Sequence, residues 1–84
     1  MKFTYKTKGV CSNKIEFEIE DNILKNVTYY GGCHGNLQGI AALVEGMEVD
    51  EVLRRVKGIH CGYKDTSCPD QLAKALEAAK QKMN

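Results

Sequence analysis

Three observations predict an α+β domain of three antiparallel strands followed by three helices (βββααα) for this chain of 84 residues. Up to Tyr30 apolar residues alternate with polar ones, the period of a half-buried strand; from Leu37 they recur every three to four positions, the period of an amphipathic helix. The change falls in the stretch Tyr29-Tyr30-Gly31-Gly32-Cys33-His34-Gly35-Asn36, where a strand runs through a glycine-rich turn into a helix. A chain of this length makes a single domain, 1–84, with a thin core of the kind that often needs a metal, a disulfide or a partner.

The first strand is expected over residues 2–8, where Lys2, Lys6 and Lys8 alternate with Phe3, Tyr5 and Thr7 and form a solvated face. Gly9 to Asn13 interrupts it as a turn that carries Cys11. In the second strand, 14–20, Ile15, Phe17 and Ile19 point one way and Glu16, Glu18 and Glu20 the other, so the sheet is antiparallel and covered on one side. Asp21-Asn22 reverses the chain into a third strand, 23–30.

Leu37, Ile40, Ala41 and Val44 then mark a helix that Gly46 ends. Val49, Val52, Leu53 and Val56 mark a second, with Asp50 and Glu51 in its first turn and Arg54, Arg55 and Lys57 in its last, charges that suit the helix dipole. Residues 59–65 read as a loop holding His60 and Cys61. In Thr66-Ser67-Cys68-Pro69-Asp70, Ser67 is the expected cap, Asp70 the expected completion of a capping box, and Pro69 falls in the first turn. Leu72, Ala75, Leu76, Ala79 and Met83 form the stripe of the closing helix.

A net charge of +1, from 12 basic and 11 acidic residues, gives no reason to expect nucleic acid or an anionic membrane as a partner. The first ten residues have no apolar segment and no run approaches the length of a membrane span, so a cytoplasmic location is expected. In that compartment four cysteines are expected as reduced ligands or redox thiols. Cys11 lies in a turn, Cys33 and Cys68 at helix starts, and Cys61 in a loop; none occupies an apolar stripe. Cys33, at the positive end of a helix, is placed where thiolate is favoured over thiol. With His34 beside Cys33 and His60 beside Cys61, the candidate metal ligands are Cys11, Cys33, Cys61, Cys68, His34 and His60, a soft S and N set suited to zinc or an iron–sulfur cluster.

Two other chemistries are open. Cys61 or Cys68 pairing with Cys33 gives a dithiol that passes electrons to a redox partner. Gly31, Gly32, Gly35 and Asn36 at a helix N-terminus, assisted by Lys64, form a candidate cradle for the phosphate of a flavin or nucleotide, with Tyr29, Tyr30 and Tyr63 as ring contacts. No conventional catalytic set is visible, and the strand edges leave pairing with a second copy open.

The sequence TSCPD at residues 66–70, with Gly31-Gly32-Cys33-His34-Gly35-Asn36 and the four cysteines, resembles the small stand-alone TSCPD-domain family along nearly the whole chain. That domain also occurs at the carboxyl end of vitamin B12-dependent ribonucleotide reductases. The resemblance implies association with such a reductase, while this chain has no room for the radical-generating barrel and is not expected to be a reductase alone. The layout is also similar to iron–sulfur scaffolds of the IscU/NifU type: Cys11 before a strand, Cys33 in a glycine turn after the next, and His60-Cys61 before the last helix. Where those scaffolds carry an aspartate two residues after the first cysteine, this chain has Asn13, and Cys68 is an added thiol.

Overall fold

The computed structural model describes residues 1–32 and 34–83, the side chain of His34 excepted. Strands β1 (Lys2–Lys6), β2 (Ser12–Glu20) and β3 (Ile23–Gly31) form one antiparallel sheet in the order β1-β2-β3, followed by helices α1 (His34–Val44), α2 (Val49–Val56) and α3 (Cys68–Met83). The expected βββααα order is therefore the observed one. The first strand stops at Lys6, two residues short of the expectation, and the second begins at Ser12, two residues early.

Asp21 and Asn22 link β2 to β3 with φ of 52° and 64°, the left-handed pair that a two-residue hairpin turn requires and that short polar side chains tolerate. Ile15, Phe17 and Ile19 are buried on one face of β2, and Phe3 stacks on its partner Phe17 with ring centroids 5.5 Å apart.

Two bulges break the simple alternation. On β3 the register passes from Thr28 opposite Glu16 to Lys25 opposite Glu18, and the extra residue lies by Asn26, whose φ is 56°. Leu24 and Val27, three apart, thus both face the core, since one inserted residue restores the side-chain phase. On β2 the extra residue is Asn13, between Ser12 opposite Gly31 and Lys14 opposite Tyr30. Ser12 and Ile15 then both point inward.

Helix α1 lies along β3 and buries Leu37 and Val44. The turn after it returns to the outer edge of β3: Gly46 N donates to Leu24 O and Leu24 N to Met47 O, each at 2.8 Å, and Asn26 N donates to Glu45 Oε1. That part of β3 is therefore covered by this chain's own backbone rather than open to a second copy. Helix α2 packs on α3, with Val49 and Val52 meeting Leu72, Leu76 and Ala79 in the same core as the sheet residues. Among the described residues no helix is long and apolar enough to cross a membrane.

Candidate thiol site at the start of the last helix

The first turn of α3 is a knot of buried polar groups. Ser67 caps it, its Oγ accepting from Asp70 N at 3.1 Å while donating to Ile59 O at 2.6 Å. Only half of the expected capping box forms in the expected sense, because the Asp70 carboxylate is committed elsewhere: Oδ1 accepts from Gly58 N at 2.7 Å and Oδ2 from Thr66 Oγ1 at 2.5 Å. Gln71 donates through Nε2 to Thr66 Oγ1 and accepts at Oε1 from Lys8 N. Burial alone would favour the neutral acid of Asp70. The hydrogen bonds from Thr66 and Gly58, with the charges of Lys74 and His60, outweigh it and hold the carboxyl below its ordinary value of 3.8.

Thr66, Ser67, Asp70 and Gln71 are all buried, so their role is to tie the 59–66 loop and the β1–β2 turn to the helix. Cys68 is different. Its half-buried side chain faces Ser12 of β2, with Oγ 3.4 Å from Sγ and either atom able to donate. The half-buried Tyr29 hydroxyl donates to Cys68 O at 3.1 Å, and burial pushes the phenol well above its usual range. Tyr29 is thus a fixed donor.

Ser12 is held from its other side. Thr7 Oγ1 donates to Ser12 O at 2.5 Å. A Cβ on Gly32, whose φ is 78°, would stand 3.0 Å from Ser12 N and 3.2 Å from Cys11 C. A Cβ on Gly31, also at φ 78°, would stand 2.8 Å from Asn13 Nδ2. Both glycines are therefore required where the end of β3 crosses the Cys11-Ser12-Asn13 bulge, which accounts for them without a bound phosphate.

The backbone at Cys11 thus lies against the residue that precedes Cys33, and the next residue touches the Cys68 thiol. Cys61 opens a closed turn, its N donating to Thr66 O at 3.1 Å and its O accepting from Lys64 N at 3.0 Å. Cys11 and Cys61 are exposed and, like Cys68, free thiols. His60, Gly35 and Asn36 are exposed as well. Cys33 and the His34 side chain, both named as ligands from the sequence, lie outside the described residues. Among the described residues no three His, Cys, Asp or Glu side chains are grouped so that they could hold a metal ion.

A model of the TSCPD domain matches residues 3–80. The chain belongs to the TSCPD-domain family. No curated protein and no solved structure matches it. In this TSCPD domain the five residues at 66–70 divide by task. Thr66, Ser67 and Asp70 build the buried knot, Pro69 sits in the first turn where no helical N–H is required, and Cys68 alone offers reactive chemistry.

Sequence reasoning missed Ser12 and named Tyr29 only as a ring contact, not as the donor to Cys68 O. The available signal was the spacing of three from Ile15 back to Ser12, which puts both on one face only if the strand bulges.

Proposed function

We propose that this TSCPD domain is a thiolate metal-binding module, in which Cys11, Cys33 and Cys68, with Cys61 as the fourth thiol, hold zinc or an iron–sulfur cluster. One observation carries the reading: the Cys11-Ser12 backbone lies against Gly32, the neighbour of Cys33, on one side and against the Cys68 thiol on the other. The segments of Cys11 and Cys68, distant in sequence, thus meet through Ser12 beside Gly32. The donor chemistry fits the group, since the described cysteines are free thiols and thiolate is the ligand that zinc and iron–sulfur centres share. When bound, the metal would supply a cross-link between strand, turn and helix. By its family's association the domain serves a ribonucleotide-reductase-type enzyme or another redox partner.

Elemental analysis of protein purified without air tests the proposal. The expected result is stoichiometric zinc or iron with thiols that titrate only after chelation; metal-free protein with four freely titrating thiols overturns it. The proximity of the Cys11 and Cys68 segments favours a dithiol as the second reading, and mild oxidation separates the two. A dithiol loses two hydrogen atoms, its two protons and two electrons going to the added oxidant, whereas thiolates held by a metal resist until it is stripped.

A further inference from the structure

We infer that the groove between α1 and α2 is a self-docking surface, on which two copies of this chain meet about a two-fold axis with Leu43 of each seated in the groove of the other. The inference is independent of the metal-binding reading.

A surface helix ordinarily turns a charged or polar face to water. Helix α1, HGNLQGIAALV, contains no Asp, Glu, Lys or Arg, although 27% of the chain is charged. Its outward side carries Leu43, at 79% the most exposed aliphatic side chain among the described residues. A single exposed leucine is ordinary on a protein surface. This one stands on the lip of a groove of about 280 Å³, walled by Ile40 and Val44 of α1, Val52 and Val56 of α2, and Met47 and Ile59. Ile40, Met47 and Val56 are half-buried and Ile59 is exposed, so the apolar surface is contiguous, the property that marks an interaction site.

Two features select a second copy as the occupant. The first is shape: a projecting leucine beside an apolar groove is complementary to itself, the condition for an isologous two-fold contact. The second is charge. Glu48 follows Met47 at the end of the groove where α2 begins, and it has no ion-pair partner among the described residues. Arg55 lines the groove near the other end of α2, about 10 Å of helix rise away. Its Nε donates to Glu51, which leaves both Nη nitrogens for a further carboxylate. The short 45–48 turn folds α2 back beside α1, and Leu43 lies between these two ends. A two-fold axis close to Leu43 therefore sets the two α2 helices antiparallel and puts Glu48 of each copy opposite Arg55 of the other. The uncharged α1 helices bring nothing that would repel.

Sedimentation equilibrium of the full chain, with reductant and chelator present so that neither a disulfide nor a metal bridges copies, tests the surface. The wild type is expected to approach twice the monomer mass as concentration rises. Leu43→Asp should weaken association at least about 30-fold with unchanged circular dichroism, because the side chain is exposed in the single chain. Glu48→Arg and Arg55→Glu each set like charges opposite one another and should each sediment as monomers. An equimolar mixture of these two variants should regain the dimer mass, since both cross-pairs then have opposite charge, a rescue that mere destabilisation does not give. The proposal is overturned by wild type that stays monomeric up to about 1 mM, which leaves the groove to a different protein. It is overturned equally by a dimer that Leu43→Asp does not weaken, which places the contact elsewhere, as at a strand edge, or by a mixture that stays monomeric while both charge variants are folded.

Discussion

A methyl group on Gly32 meets backbone atoms, Ser12 N at 3.0 Å and Cys11 C at 3.2 Å, whereas one on Gly46 meets nothing within 4 Å. Both glycines have φ of 78°, so a substitution to alanine pays the left-handed penalty of about 1–2 kcal/mol at either position. Gly46→Ala should cost about that much, and Gly32→Ala clearly more, because backbone neighbours cannot rotate away. Urea unfolding of the two variants checks the difference, and equal losses would contradict the close crossing at Cys11-Ser12. Asp70 makes a second prediction. Its carboxyl is lower in the folded chain than its ordinary value of 3.8, so the unfolded chain binds the proton more readily. The stabilisation is present in full above the unfolded value and is lost as pH falls through the folded one. Asp70→Asn should therefore lower stability at neutral pH, and its difference from wild type should shrink as a titration runs below about pH 4. A difference independent of pH would mean that Asp70 acts by shape alone.

Among the elements, α3 has two separable jobs. Leu72 and Leu76 are fully buried and join the strands to α2 in the core, while the first turn ties the 59–66 loop to the rest. Leu72→Ala should cost about 2–5 kcal/mol of global stability. Ser67→Ala should cost about 0.5–2 kcal/mol as the loss of a cap, but it also removes the donor to Ile59 O. Hydrogen exchange should consequently quicken at the Cys61 and Lys64 amides in Ser67→Ala more than in Leu72→Ala once global stability is corrected for. By contrast, the ion pairs of α2 are exposed. Glu51 accepts from Arg54 and Arg55 at 2.5 Å, and these bonds bring its carboxyl down to about 2. Lys57 pairs with Glu77 and Lys80 with Asp50 across the α2–α3 contact. Pairs of this exposure contribute little to stability.

On the scale of the whole molecule, the core contains no cysteine among the described residues: Ile15, Phe17, Ile19, Leu24, Val49, Val52, Leu72 and Leu76 close around one another. The proposed metal site lies at one end, where the β1–β2 turn, the end of β3 and the start of α3 meet. Structural zinc contributes about 10–16 kcal/mol of apparent binding energy in small finger peptides that have no other core. Here a hydrophobic core forms without any of the described cysteines. Chelation should thus lower the thermal midpoint without abolishing far-UV circular dichroism, and the added hydrogen exchange should concentrate in residues 7–13 and 57–68. Complete unfolding on chelation would mean that the core does not suffice alone.

The order and period of the elements were legible from residue spacing, because a buried face repeats every second residue in a strand and every three to four in a helix. Ile15, Phe17 and Ile19, the Asp21-Asn22 turn and the Leu72, Ala75, Leu76, Ala79 stripe each state their conformation locally. Cys11 in a turn, Cys61 in a loop and Cys68 at a helix start were legible from the sequence. Their company was not. Ser12 and Cys68 are 56 residues apart, and their meeting depends on one inserted residue in β2, on a glycine opposite it, and on where α3 docks against the sheet. An inserted residue reverses which side chains face inward, and docking is governed by the summed packing of distant surfaces. Neither is written in the local alternation of polar and apolar residues, so only the tertiary structure could decide them.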